Sequence, residues 1–387
     1  MKEIKKLLYL LQLEEYQTER YLSWLERHPI KKLKERKNKL HWTPRAIFTL
    51  LVSVLLSPFI KANRAVGFAN DLLRPIFQSI EKIIVLLAKI KLNFYPNLIK
   101  IIITGSYGKT TFKEMLACAL RTKYSVLKTP QNINTRLGIA QIIIKKLKKK
   151  HQIMIIEAGA YKEGEIKEIC QLTHPSFGIV TIVGWMHLER FKTLANIRRT
   201  KLELIPFIKN KEKLFLPKKN HQLIDFKKTI IKIGQKLNIS QKVIKKQLSN
   251  SQPPEHRLTV KKVNRNLIIL DDTYNSNPLG FKKALKTLKS YQKYQKIIVT
   301  PGMIELGNKQ FDLNKQAAKQ AAKIADILVI IGETNKRALR AGAEEVKKKN
   351  LRIIYLKKDE NLDKSLTAHL KPPIVILLEN ELPDHYF

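Results

Sequence analysis

Two patterns of apolar residues divide the chain. Over residues 1–40, Leu7, Leu8, Leu11, Tyr16, Tyr21 and Trp24 recur among charged positions, a spacing that predicts amphipathic helices. Ala46–Ile60 then reads AIFTLLVSVLLSPFI, without a charge, between Arg45 and Lys61. Trp42 precedes it where an interfacial aromatic anchor would sit. The run is at the short end of the ~17–25 residues that cross a bilayer, and it lies too far into the chain, behind too many charges, for a cleaved leader. A second apolar stretch, Ile76–Ile90, contains Glu81 and Lys82 and is a poorer span. Basic residues flank both stretches, which favours both ends on the cytoplasmic side of a membrane. The expectation is membrane association; a span, a re-entrant hairpin, an in-plane helix and a buried hairpin all stay open.

From Leu98 onward short apolar runs alternate with helical stretches. Leu98–Ile103, Ile153–Glu157, Gly178–Val183, Leu267–Asp271, Ile297–Thr300, Ile327–Ile331, Ile353–Leu356 and Ile374–Leu378 are the strand candidates. This alternation predicts α/β domains with largely parallel sheets. Ser249–Glu255 (SNSQPPE) reads as a linker. The expected division is a helical region over 1–97, a central domain over 98–250 and a C-terminal domain over 251–387.

Charge and cysteine content narrow the partners. A chain of 387 residues has length for two or three domains with buried cores. Its 74 Lys and Arg against 32 Asp and Glu leave a formal charge of +42, which points to an anionic partner such as a membrane surface. The lysines occur along the whole chain, and neither an aromatic-glycine RNA-binding pattern nor a zinc-finger spacing is apparent, so no nucleic acid is expected. Cys118 and Cys170 lie in apolar helical contexts and read as free thiols in a reducing compartment.

The candidate chemistry begins at residues 104–111, TGSYGKTT, directly after the first strand candidate. A strand, a glycine turn and a helix opening with Lys-Thr-Thr aim backbone N–H groups at phosphate oxygens. Gly105 and Gly108 suit the turn, Ser106 and Thr111 belong to the loop, Lys109 can reach terminal phosphates and Thr110 can ligate Mg²⁺. The usual motif has a glycine where this chain has Ile103, so the loop alone leaves a plain strand–helix turn open. Downstream, Glu157 ends a strand, where α/β sheets bind ligands. His187 follows another strand, Lys201 lies on a helix, and His256, Arg257 and LDDTYNSNP come after the linker. Singly, each is equally a solvated carboxylate, a structural histidine, one lysine among many or a turn.

Together, TGSYGKTT, KTPQNINTRLG, MIIEAGAYKEGEI, IVGWMHLERFKTLANIRRTK, HRL, LDDTYNSNP and VTPGMIELG resemble, in order, the Mur ligases, ATP-dependent amide-forming enzymes of peptidoglycan synthesis. The likeness runs from about Leu98 to Gly332 and is greatest to the D-alanyl-D-alanine-adding branch. It implies a central P-loop ATPase domain with a parallel sheet and a Rossmann-like C-terminal ligase domain. It also implies ATP and Mg²⁺: Gly105–Thr111 and Lys109 on the phosphates, Thr110 and Glu157 on Mg²⁺, His187 on a second Mg²⁺. Lys201 matches the family lysine that CO₂ converts to a carbamate. Arg257 would meet phosphate, Asp272 the ribose and Asn275 the adenine, while Asn132 and Asn134 match a polar loop near the substrate. The implied substrates are a UDP-muramoyl-peptide and D-alanyl-D-alanine, in the cytoplasm at the inner face of the plasma membrane.

Three departures stand out. Residues 1–97 replace the family's UDP-sugar-binding domain, the stretch from Lys201 to Arg257 is shorter than usual, and VILLENELPDHYF stands where relatives carry Lys-Gly-Ser. A membrane-associated Mur-type ligase making another polymer, as in poly-γ-glutamate synthesis, is the alternative; a non-catalytic nucleotide-binding protein is a weaker one. TYNSNP and GMIELG favour the first reading.

Overall fold

A computed structural model describes residues 1–36, 39–131, 133–217, 223–250, 254–274, 276–358, 360 and 370–387. These form two compact units, Met1–Ile83 with Leu382–Phe387, and Ile84–Glu381.

The first unit is helical: α1 (Lys2–Leu13), α2 (Thr18–Arg27), α3 (Pro44–Leu56) and the opening of α4 (Ala62–Asn93). Its core holds Leu7, Leu8, Leu10 and Leu11 of α1 with Tyr21, Trp24, Ala46 and Val66. The last six residues of the chain belong to it, although the sequence reading placed them with the C-terminal domain. Asp384 Oδ2 accepts from the Tyr9 hydroxyl at 2.6 Å and from the Arg36 N–H at 2.8 Å. The Trp24 indole donates to His385 O at 2.9 Å, and Phe387 packs on Trp24.

Helix α3 is inverted relative to an ordinary surface helix. Thr43 caps it, accepting from the Ala46 N–H, and Pro44 opens its first turn. The face turned into the unit carries Ala46, Thr49 and Ser53, while Ile47, Phe48, Leu51, Val54 and Leu55 are exposed. The opening of α4 repeats this: Ala65, Val66, Ala69 and Asn70 are buried, Phe68, Leu72, Ile76 and Ile80 exposed. No helix among the described residues is long and apolar enough to cross a membrane. Spanning therefore has no support for 46–60 or 76–90, and exposure of the large side chains also removes the buried-hairpin alternative.

The second unit contains two sheets. The first has the order β2 (Val126–Lys128), β3 (Ile153–Glu157), β1 (Ile99–Thr104), β4 (Phe177–Val180) and β5 (Leu214–Phe215), all parallel. Helices α5 (Lys109–Leu120), α6 (Arg136–Lys146), α7 (Glu165–Thr173), α8 (Leu188–Phe191), α9 (Leu194–Leu202), α10 (Phe226–Lys236) and α11 (Gln241–Ser249) complete this part. Alternate β1 residues enter opposite cores, Ile102 with α6 and α7, Ile101 and Ile103 with α5 and α10. Ala88 and Leu92, late in α4, join the former.

The second sheet runs β10 (Arg352–Leu356), β9 (Ile327–Ile331), β8 (Gln295–Thr300), β11 (Ile374–Glu379), β7 (Leu267–Asp272) and β6 (Thr259–Asn264). Only the edge strand β6 is antiparallel among the described pairs. Helices α12 (Pro278–Lys289), α13 (Gln310–Ile324) and α14 (Lys336–Glu344) belong with this sheet. With both faces of its inner strands buried, an all-apolar strand such as ILVII of β9 is what a covered parallel sheet requires.

Candidate functional site

The C-terminal ends of β1, β3 and β4 deliver the loops of the site. Gly105 has φ +134°, and a Cβ there would lie 2.2 Å from Thr181 Oγ1, so only glycine lets the chain turn against β4. Gly108, with φ +76°, is the residue before α5, where a Cβ would meet the Phe226 ring at 2.7 Å. Ser106 N donates to Ile182 O at 2.8 Å and its Oγ donates to Gly184 O at 3.0 Å. These bonds explain why β4 stops at Val180 although the apolar run continues: residues 181–184 brace the loop instead of extending the sheet.

A cavity of about 140 Å³ is lined by the Gly105–Thr110 loop, Asn134, Glu157, His187, Lys201 and Arg257. A neighbouring cleft of about 780 Å³ takes in Thr111, Asp272, Asn277 and the lysines of α12. Asn132 and Asn275 lie outside the described residues. The other residues given a phosphate, metal, ribose or substrate role line one of these two spaces, whereas His256 lines neither.

Lys109 Nζ folds back to donate to Gly105 O at 2.8 Å and Ser106 O at 3.3 Å. Burial pushes its pKa down to about 8; Glu157 pulls it up and Arg257 down. The Glu157 carboxylate accepts from Thr110 Oγ1 at 3.0 and 3.2 Å. Burial pushes that carboxyl up, but Lys113 and Lys109 outweigh it and hold it below its ordinary value. Among the described residues no three His, Cys, Asp or Glu groups gather to hold a metal. Mg²⁺ needs no such cage, since it takes one or two protein oxygens beside phosphate and water. Thr110 and Glu157, in contact at the wall of one cavity beside the Gly105–Gly108 turn, fit that donor set.

Arg257 arrives from the segment before β6. Its terminal nitrogen donates to Thr110 Oγ1 at 3.1 Å, its guanidinium lies 4.1 Å over the Tyr274 ring, and its buried Nε has no hydrogen-bond partner among the described residues. Asp271 braces this segment, 2.9 Å from His256 Nδ1 and 2.7 Å from Lys261 Nζ. Asp272, one residue on, is pushed up to about 6 by burial, against a Leu258 N–H bond and Arg257.

Lys201 Nζ is buried, with Ala160 O at 3.2 Å and the Phe191 ring at 5.6 Å. Burial, then Lys109, push its pKa down to about 7. His187 is the residue before α8, in the left-handed region at φ +53°. Its Nδ1 is bonded to Glu305, and Tyr161 packs edge-on against its ring at 4.6 Å. Cationic and neutral nitrogens thus surround one carboxylate, a charge balance suited to a polyanion.

The sequence reading passed over Lys113, Tyr161, Tyr274 and Glu305. Lys113 had a signal, since it lies four residues after Lys109 and so on the same helix face. It is fully buried, 3.0 Å from Glu157 Oε2. Lys113→Met is expected to cost about 3–5 kcal/mol by leaving a buried charge unpaired, a loss measurable by thermal or urea unfolding. Cys118 and Cys170 are free, and burial pushes the Cys170 thiol up to about 12.

Comparison with known proteins gives a consistent answer. A family model described as the Mur ligase middle domain matches residues 103–269, and one described as the Mur ligase, glutamate ligase domain matches 256–379. UDP-N-acetylmuramoyl-tripeptide--D-alanyl-D-alanine ligase from Buchnera aphidicola subsp. Acyrthosiphon pisum is 28% identical over 264 residues, 53% of this chain and 58% of that one. The enzyme of the same name from Bacillus subtilis is 24% identical over 266 residues, 55% of this chain and 58% of its own. The chain thus spans less than two thirds of the length of these relatives. Among solved structures, MurF from Acinetobacter baumannii superposes with a TM-score of 0.67 at 22% identity, covering 78% of this chain and 77% of that one. MurF from Thermotoga maritima in complex with ADP gives 0.63 at 23%, covering 78% and 80%. At such identity the structures establish the shared fold.

Proposed function

The chain belongs to the Mur ligase family, and we propose that it is an ATP-dependent, ADP-forming ligase joining D-alanyl-D-alanine to a UDP-muramoyl-peptide in peptidoglycan precursor synthesis. The observation that carries this reading is the gathering of the Gly105–Thr110 loop, Glu157, His187, Lys201 and Arg257 around one cavity. In this reading residues 98–250 bind the phosphates and 251–381 supply Arg257 and the nucleoside contacts. The relatives named for this reaction and the ADP in the Thermotoga structure support both the activity and the nucleotide.

An amide does not form from a carboxylate and an amine in water without activation. A carboxylate oxygen attacks the γ-phosphorus, the bond to the β-phosphate oxygen breaks, and ADP leaves. The amine nitrogen attacks the acyl carbon of the resulting acyl phosphate; the tetrahedral intermediate loses inorganic phosphate and the nitrogen its proton. The first step brings two anions together. Backbone N–H groups at the start of α5 together with Lys109 and Arg257 offset that repulsion in a partly dehydrated site. Thr110 and Glu157 would hold Mg²⁺, which when bound supplies further neutralisation of phosphate charge. His187 and a carbamylated Lys201 would hold a second ion nearer the acceptor. Burial of Lys201 disfavours its cationic form, and a neutral amine is what reacts with CO₂. Asp272, lining the larger cleft, is offered for the ribose, and Asn132, Asn134 and Asn275 for substrate and adenine.

The test is ADP release from purified protein with ATP and UDP-muramoyl-tripeptide, with and without D-alanyl-D-alanine. Release that depends on both partners supports the assignment. Release with glutamate alone would transfer it to a polymer-forming relative, and no release with either would refute ligase activity.

The same proposal includes a site of action: the cytoplasmic face of the plasma membrane, with α3 and the opening of α4 lying in the lipid interface. The support is the inverted pattern of the first unit. Phe59 is 83% and Leu55 72% exposed, in a continuous apolar face of a kind that soluble surfaces rarely carry. The exposed Lys61, Arg64 and Arg74 flank it, matching anionic headgroups. Wild type is expected to co-sediment with phosphatidylglycerol vesicles at low salt and Leu51→Asp/Leu55→Asp to stay in the supernatant. A monomeric wild type that ignores the vesicles would refute the lipid contact; a stable dimer would assign the face to a second copy.

A further inference from the structure

The loop after β8 is built before it reaches the site. Asn314 Oδ1 accepts from the Met303 N–H at 2.7 Å, and its Nδ2 donates to Met303 O at 2.9 Å. Asn335 Nδ2 donates to Pro301 O at 2.9 Å and to Met303 O at 3.1 Å. At Gly302, φ +78°, a Cβ would stand 2.5 Å from Asn314 Oδ1. Two buried amides therefore fix the turn, and Glu305 leaves it in the left-handed region at φ +61°. The loop then seats against the start of α8: Glu189 N donates to Glu305 O at 3.2 Å, and a Cβ on Gly307 would lie 3.4 Å from Glu189 N.

This docking brings the Glu305 carboxylate to His187 Nδ1. Arg190 stands 3.9 Å from the other carboxylate oxygen and 4.0 Å over Tyr161, whose ring edge abuts His187. A carboxylate accepts but does not donate, so the shared proton resides on Nδ1 and Nε2 keeps its lone pair. That is the tautomer an imidazole needs to bind a cation through Nε2, and a carboxylate behind a histidine both orients the ring and raises its basicity as a ligand.

We infer that Glu305 is a positioning residue: it reaches from the second sheet to His187 on the first, setting that ring in its ligand tautomer only when the two sheets' domains are docked. Completion of the site would then depend on domain closure, which also excludes water from a hydrolysable acyl phosphate. The inference rests on the proposed role of His187 in metal binding, while its first observable, the tautomer, does not.

The experiment uses the full chain. In ligand-free wild type, ¹⁵N NMR of His187 is expected to show the Nδ1–H form. Glu305→Ala should lose that preference, and Glu305→Gln, whose amide oxygen still accepts, should keep it. Titrated with Mn²⁺ and a non-hydrolysable ATP analogue, Glu305→Ala should lose about 10–100-fold in affinity for one of two Mn²⁺ ions, with Glu305→Gln between it and wild type. An Nε2–H form in wild type, or Glu305→Ala that matches wild type in tautomer and Mn²⁺ binding, would overturn the inference. A tautomer shift in a protein that ligates nothing would sustain the positioning role while refuting the ligase. Ligation by an unaffected Glu305→Ala would do the reverse.

Discussion

Replacing Lys109 by alanine is expected to lower ADP release by about 10²–10³-fold at saturating ATP, the cost of removing one preorganised donor aimed at developing charge. The fold should survive. Among the described residues Lys109 Nζ is bonded to Gly105 O and Ser106 O, loop carbonyls at the edge of a cavity that water can satisfy. With nucleotide bound, the same ammonium has only to swing from those carbonyls to a phosphate oxygen. Its pKa, held at about 8 by burial, would rise beside a phosphate anion. Steady-state kinetics and circular dichroism check the two halves together. Unchanged turnover in a folded variant would move the ATP site away from this loop. The contrast with Lys113 sharpens the expectation: four residues along the same helix, that ammonium faces Glu157 and is sealed from solvent. Its loss is paid first in stability.

The strands that carry the site were legible because their environment forces an unmistakable pattern. IKIIIT, IMIIE and ILVII are short, largely apolar runs, mostly buried within parallel sheets, and their brevity between turn signals marks them as strands rather than helices. The edges were not legible. The antiparallel strand β6 reads TVKKVN and is exposed along nearly its whole length, so it has no apolar signal to give. Strands β2 and β5 are three and two residues long, below the length at which alternation can be seen. In the first unit the apolar run over 46–60 suggested membrane association, and the structure shows its large side chains exposed, among helices that are not long and apolar enough to span. Its exposure depends on Ala46, Thr49 and Ser53 facing inward, and hydropathy summed over a window does not record which side is packed.

The site divides along a similar line. The Gly105–Thr111 residues proposed for phosphate form one contiguous motif, because backbone N–H groups, a lysine and a threonine must lie within one turn of each other, and so the loop was visible. Glu305 was not: it is 118 residues from His187, and only the docking of two loops makes them partners. Tyr161 and Tyr274 act through ring packing on His187 and Arg257, contacts without a spacing rule. Glu379 and Asn380, within the VILLENELPDHYF stretch, do not line the cavity around the Gly105–Thr110 loop. Glu379 is instead buried below the TYNSNP segment, bonded to Ser276 and, at 2.8 Å, to Thr300, with burial pushing its pKa up to about 8.

Lys201→Ala is the second variant with a large expected effect, about 10²–10³-fold in ligation, with partial recovery on adding acetate or formate. The physical case begins with burial. An ammonium enclosed by Ala160 O and the Phe191 ring has one carbonyl for three N–H groups, and Lys109 adds a like charge. The cation is therefore disfavoured, down to a pKa of about 7, and above that pH the free amine predominates. In the proposed modification its nitrogen lone pair would add to CO₂ with release of a proton, placing a carbamate anion in the cavity that Glu157 also lines. The sign follows directly: protein stripped of CO₂ should regain activity with bicarbonate readily above about pH 7 and poorly below it. Intact-protein mass spectrometry under native conditions should show the added mass of one CO₂ in wild type and none in Lys201→Ala. A wild type indifferent to bicarbonate depletion, with a dead Lys201→Ala that no short carboxylate rescues, would leave Lys201 as an ordinary cation. The second metal position would then have to be built from His187 without it.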